Sequence, residues 1–283
     1  MARGAFDSMR PTILVAWVLL CAGGLQAASW KPVWSDEFSA NGPPDPSKWT
    51  YEEGFIRNQE SQYYTRSRPE NARVENGMLI IEARKEQFPN ARYQAGSENW
   101  QRKQFTEYTS ASLTTEGKAL WRYGRIEVRA KLPTGRGTWP AIWMLGLNHR
   151  EAGWPRCGEI DIMENVGYDP DTINANIHTE AYNHIKKTNK GSKITVTRPY
   201  ETFHVYAIEW TPEKMDFFLD DQKYFSFANE KTGAAAWPYD QPFYLILNLA
   251  IGGSWGGSKG IDESIFPQRM EVDYVRVYEQ AAP

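Results

Sequence analysis

No stretch of ten or more residues in this chain carries a helical hydrophobic period, whereas ten short segments alternate at period two. They run over Met78–Ala83, Gly124–Leu132, Ala141–Leu145, Glu159–Asn165, Asn174–Thr179, His204–Trp210, Met215–Leu219, Lys223–Phe227, Phe243–Ala250 and Val272–Tyr278. Turn chemistry separates them: Glu75-Asn76-Gly77, Pro133-Thr134-Gly135, and Asp220-Asp221 between two aromatic-rich strands, which reads as a hairpin. Many short strands without intervening helices specify an antiparallel sandwich or barrel and argue against a parallel α/β sheet. Gly54–Thr65, Phe88–Tyr108, His149–Arg156, Ala181–Tyr200 and Gly252–Phe266 read as long loops, which in a compact β domain are functional or disordered.

Arg3 and Arg10, the apolar run Ile13 to Leu20 and the small residues up to Ala27-Ala28 read as a secretory signal peptide over residues 1–27. One domain is then expected over 28–283, secreted to an extracellular or periplasmic space, monomeric and free of the membrane after cleavage. Only Cys157 is left in that product, so no intramolecular disulfide can form, and a packed structural thiol is expected. A net charge of −3 excludes the basic footprint of a nucleic-acid partner. The chain holds 12 Trp, 15 Tyr and 12 Phe, several of them in polar or Gly-rich surroundings, a surplus that suits a cleft stacking on flat ligands.

Glu159, Asp161 and Glu164 stand within six residues in Gly158-Glu159-Ile160-Asp161-Ile162-Met163-Glu164-Asn165. A regular strand puts Glu159 and Asp161 on one face and sends Glu164 to the other. One extra residue at a bulge near Ile162-Met163 brings all three together. A helix fits worse, since spacings of two and five fall at about 200° and 140° around its axis. With the bulge, the Glu159 and Glu164 Cα atoms should lie about 13 Å apart and their carboxyls ~5–7 Å apart. That overlaps the ~5–5.5 Å of retaining glycosidases. The alternative reading is a solvent-facing acidic strand edge.

With this triplet stand Trp139-Pro140-Ala141-Ile142-Trp143-Met144, Asn176-Ile177-His178-Thr179 and a Gly-Trp-Gly loop at Trp255. Together they resemble glycoside hydrolase family 16 over nearly all of the chain after residue 27. The E-x-D-x-x-E spacing is similar to the laminarinase branch, endo-acting on β-1,3-glucan, with mixed 1,3-1,4 linkages as a further substrate. The resemblance implies a β-jelly-roll of two curved antiparallel sheets with a concave cleft. It implies Glu159 as nucleophile, Asp161 as its hydrogen-bond partner and Glu164 as general acid and base, in a retaining double displacement. It also implies sugar contacts from Asn58, Gln62, Trp139, Trp143, His178 and Trp255. No cofactor is implied for catalysis, but a structural calcium ion is, held on the convex side by Glu37, the Gly77 carbonyl and Asp273.

Other readings compete. The family also contains agarases and carrageenases, and Arg57, Arg66 and Arg68 near one cleft loop suit a sulfated galactan. Non-catalytic β-glucan-binding relatives keep the sandwich but lose the acids, which this chain retains. Gly252-Gly253-Ser254-Trp255-Gly256 satisfies G-x-S-x-G, yet no His follows position 204 to complete a serine hydrolase. The four histidines form no HExxH zinc motif.

Overall fold

A computed structural model describes residue 1 and residues 30–281, so the signal-peptide expectation lies outside the described residues. In chain order the strands are β1 (Trp30–Asp36), β2 (Thr50–Tyr51), β3 (Gln62–Tyr64), β4 (Ala72–Glu75), β5 (Met78–Pro89), β6 (Phe105–Ser110), β7 (Ser112–Thr114), β8 (Gly124–Lys131) and β9 (Thr138–Gly146). After a four-residue helix, α1 (His149–Ala152), come β10 (Glu159–Val166), β11 (Asp169–His178), β12 (Lys190–Thr195), β13 (His204–Trp210), β14 (Lys214–Leu219), β15 (Gln222–Ala228), β16 (Phe243–Ile251) and β17 (Gln268–Gln280).

Two sheets face each other. One has ten strands along the path β15-β14-β13-β8-β17-β5-β6-β3, with β1 added on β17 and β4 on β5. The other has seven, in the order β12-β11-β10-β9-β16-β7-β2. All pairings are antiparallel except β3 with β6. This is the jelly-roll sandwich that the alternating segments specify.

The alternation explains the packing. Leu79, Ile81, Ile126, Val128, Ile142, Met144, Ile160, Leu245 and Leu247 point between the sheets and are fully buried in one continuous core. Each such side chain is worth about 1.5–3 kcal/mol of burial. On β8 the other face carries Arg125, Glu127, Arg129 and Lys131, ion-paired to Glu127, Glu209, Asp273 and Glu271. The outer face of the ten-stranded sheet is therefore a charged ladder around β8. In the seven-stranded sheet β12 is one edge, carrying the exposed Lys190 and Lys193, charges that discourage pairing with another chain.

Several elements differ from the sequence reading. β12 falls inside the expected loop Ala181–Tyr200, and β1, β2, β3, β4, β6 and β7 were not among the ten segments. Most of these are short or pair at a sheet edge, where burial imposes little alternation. The expected hairpin at Asp220-Asp221 joins β14 to β15, with Asp220 at φ 52°.

Candidate active site

The site is built on an irregularity in β10. Against β9, Asp161 faces Trp143 and Met163 faces Ile142, so two steps on β10 match one on its neighbour. Against β11, Asp161 faces Asn176 and Glu164 faces Asn174, three steps against two. The extra residue at Ile162 returns Glu164 to the face already occupied by Glu159 and Asp161. Ile162 and Met163 are consecutive yet both fully buried in the core, the signature of a bulge. All three acids line a cleft of about 810 Å³.

Neighbouring strands supply the walls by the same alternation. β9 turns Trp139, Ala141, Trp143 and Leu145 into the cleft, β11 turns Asn174, Asn176 and His178, and β16 turns Asn248. Trp255 closes one side and packs edge-on against Trp139, ring centres 5.5 Å apart. On the other side Trp154, from the loop after α1, stacks near His178 and His184.

Each acid has its own partners. The Trp154 indole N–H donates to Glu159 Oε2 at 2.9 Å. His178 Nε2 lies 3.7 Å from Glu159 Oε1 and 3.3 Å from Asp161 Oδ2. Glu164 accepts from Trp139 Nε1 at 3.1 Å and from Asn176 Nδ2 at 3.3 Å. The Tyr239 hydroxyl donates to the carbonyls of Glu159 at 3.1 Å and His178 at 3.2 Å, fixing the two strands side by side.

Burial is the largest influence on all three carboxyls and holds each well above its ordinary range. The charge of Asp161 pushes Glu159 and Glu164 further up, while His178 pulls both back. Asp161 is raised by burial and lowered by a hydrogen bond shared with Glu159. Such a group holds protons at neutral pH, and ionising one member makes the next harder to ionise. Cys157, two residues from Glu159, is buried, and its thiol is pushed up to about 12 by burial and by that acid's charge. It is unreactive packing.

Not every expected contact faces the ligand. Gln62 is buried, its amide donating to Glu60 Oε2 at 2.8 Å and accepting from the Ile251 N–H at 2.7 Å. It ties the start of β3 to the end of β16 and does not line the cleft, because both ends of its amide are used inside the protein. Asn58 does line it, and donates to Glu60 Oε1 at 3.2 Å. Trp143 also lines it, but the Arg57 guanidinium sits 4.8 Å from its ring centre and covers part of the aromatic surface expected for a sugar. Arg57 is ion-paired to Glu52.

Residues that sequence reasoning passed over are Trp154, Asn174 and the buried Glu60. Asn174 was visible in principle, since Asn174, Asn176 and His178 alternate with the buried Ile173, Ala175 and Ile177. Trp154 and Glu60 lie in loops, where no period marks direction.

Residues 59–276 match the family described as glycosyl hydrolases family 16. The chain belongs to glycosyl hydrolase family 16. A β-glucanase of Rhodothermus marinus is 53% identical over 262 residues, covering 89% of this chain and 86% of that protein. The structure of a laminarinase from the same organism superimposes with a TM-score of 0.82 at 51% identity, covering 91% of this chain and all of that one. The catalytic domain of a Thermotoga petrophila endo-1,3-β-glucanase gives a TM-score of 0.78 at 42% identity, with 90% and 100% covered.

The residues expected to hold calcium in this family 16 chain do not fit the ion as placed. Both Glu37 oxygens accept from Arg276, at 2.9 and 2.7 Å, and Asp273 Oδ2 accepts from Arg129 at 2.5 Å. Gly77 sits in the β4–β5 turn at φ 77°. Cationic partners already neutralise both carboxylates. Among the described residues, the group whose geometry could gather a cation is instead Glu159, Asp161 and His178, with ligand atoms within 4.8 Å of one another.

Proposed function

We propose that this chain is a secreted, monomeric, endo-acting β-1,3-glucanase of the laminarinase type that cleaves with retention, Glu159 serving as nucleophile and Glu164 as general acid and base. The observation that carries this reading is the bulge at Ile162, which gives two glutamates one face in a cleft walled by tryptophans.

The mechanism follows from unequal surroundings. Glu159 has the indole N–H of Trp154 and the nearby charges of His178 and Arg57 to favour its ionised form. Burial and the charge of Asp161 raise both glutamates, and Glu164 also accepts from Trp139 and Asn176, so what singles out Glu159 is the Trp154 donor and the Arg57 charge. Once Glu159 carries the negative charge, coupling keeps the proton on Glu164. The Glu159 carboxylate attacks the anomeric carbon while Glu164 gives its proton to the departing glycosidic oxygen. The new ester consumes one negative charge, the pKa of Glu164 falls, and Glu164 then takes a proton from water as that water attacks the ester. Asp161, hydrogen-bonded to Glu159, holds the nucleophile in place and shares its proton.

The three relatives described above, at 42–53% identity, are called β-glucanase, laminarinase and endo-1,3-β-glucanase, which supports glucan, while a keratan-sulfate endo-1,4-β-galactosidase is 34% identical. Incubating the protein with laminarin, lichenan, agarose and carrageenan and sizing the products tests the reading. Early release of mixed oligosaccharides from laminarin is expected. Depolymerisation of agarose or carrageenan with laminarin untouched would overturn it.

A further inference from the structure

The cleft continues beyond Trp255. A second cavity of about 450 Å³ shares Asn58 and Ser254 with the first and adds Gln59, Gly253 and Trp100. Trp100 comes from the excursion between β5 and β6, far in sequence from every other part of the site.

That excursion is anchored. The Gln101 amide donates to the carbonyls of Phe55 at 2.8 Å and Ile56 at 3.1 Å, and Asn90 holds the carbonyls of Gln101 and Lys103 at 3.0 and 2.8 Å. The Trp100 ring stands edge-on to Phe55, centres 5.8 Å apart, and Phe55 in turn to Tyr63 at 5.5 Å. Trp100 is therefore fixed to the chain segment that runs directly into Arg57 and Asn58 of the cleft. It is only part-buried, and its indole N–H has no hydrogen-bond partner among the described residues.

The opposite wall is also set. Gly253, at φ 73°, lies so close to the Asn58–Glu60 segment that an added Cβ would stand 3.0 Å from Glu60 Cγ and 3.1 Å from the Asn58 carbonyl. The Ser254 N–H donates to that same carbonyl at 3.0 Å. The two loops are knitted together and leave a short open trough ending at Trp100. An aromatic ring held rigid beside amide and hydroxyl groups at the end of a polysaccharide cleft suits one ligand, a sugar unit with an apolar ring face and hydroxyls at its rim.

We propose that Trp100 is the platform of a distal glucan subsite beyond Trp255, which makes the enzyme favour longer chains. This rests on the β-glucanase reading above. None of the three acids lines this trough, so such a subsite contributes binding that is equal in ground and transition states, and its loss appears mainly in KM.

The test is kcat/KM for wild type, Trp100→Ala and Trp100→Phe on β-1,3-gluco-oligosaccharides of increasing length. The wild-type to Trp100→Ala ratio should grow with chain length to about tenfold on the longest, through KM, with Trp100→Phe recovering most of it. A ratio that is the same at every length, including one of unity, would overturn the subsite while leaving hydrolysis by the wild type intact. If the wild type hydrolysed none of the oligosaccharides, the glucanase reading itself would fall and the subsite with it.

Discussion

The indole N–H of Trp154 donates to Glu159 Oε2 at 2.9 Å, from a loop only five residues before the strand that carries the acid. A donor to a carboxylate favours its ionised form, and a hydrogen bond to a charged group is worth about 1.5–3 kcal/mol. Trp154→Phe keeps a ring beside His178 and His184 but removes that donor. The pKa of Glu159 should rise further, so the acid limb of kcat/KM should move to higher pH, with a loss of about tenfold or more on that limb. A pH–rate profile checks this, because a merely structural role would lower the rate equally at every pH.

Asp161→Asn removes the negative charge that, after burial, does most to raise Glu164. The pKa of Glu164 should fall, and the alkaline limb of the profile, where the general acid loses its proton, should move to lower pH. Activity should drop on the order of 10²-fold with the fold intact. An alkaline limb that stayed in place would mean that Asp161 does not act on Glu164 through its charge.

The buried acids should cost stability when ionised. Glu159 has a folded-state pKa raised from 4.5 to about 8, so across that window the native protein holds more protons than the unfolded chain. Stability must then fall as pH rises through it. Glu159→Gln carries no such charge and should melt higher than wild type at pH 8, at roughly 2–4 °C per kcal/mol gained, with the gap closing near pH 4. Melting curves at both pH values decide it, and an advantage that failed to grow with pH would contradict the assigned burial of charge.

The strand inventory was legible where side chains alternate between core and outer face, as in β8 and β10, and where an apolar run of strand length is buried on both faces, as in β16. It was not legible for β12 and β1, whose edge or peripheral positions relax the alternation. The bulge was legible because E-x-D-x-x-E cannot bring three acids together on a regular strand. The resemblance implied a sugar contact from Gln62, and nothing in the nearby sequence shows that Glu60 and the distant Ile251 N–H consume its amide. Trp154 and Trp100 are set by long-range anchoring of loops, through contacts such as Gln101 to Phe55, that leave no mark in nearby sequence.

The most direct test of the central claim is to trap the covalent intermediate. An activated 2-fluoro β-1,3-glucoside should inactivate the enzyme with one glycosyl unit attached, and peptide mass spectrometry should find it on Glu159. Attachment to Glu164 instead, or inverted product with no adduct on either glutamate, would contradict the roles assigned to the two acids that the bulge at Ile162 brings to one face.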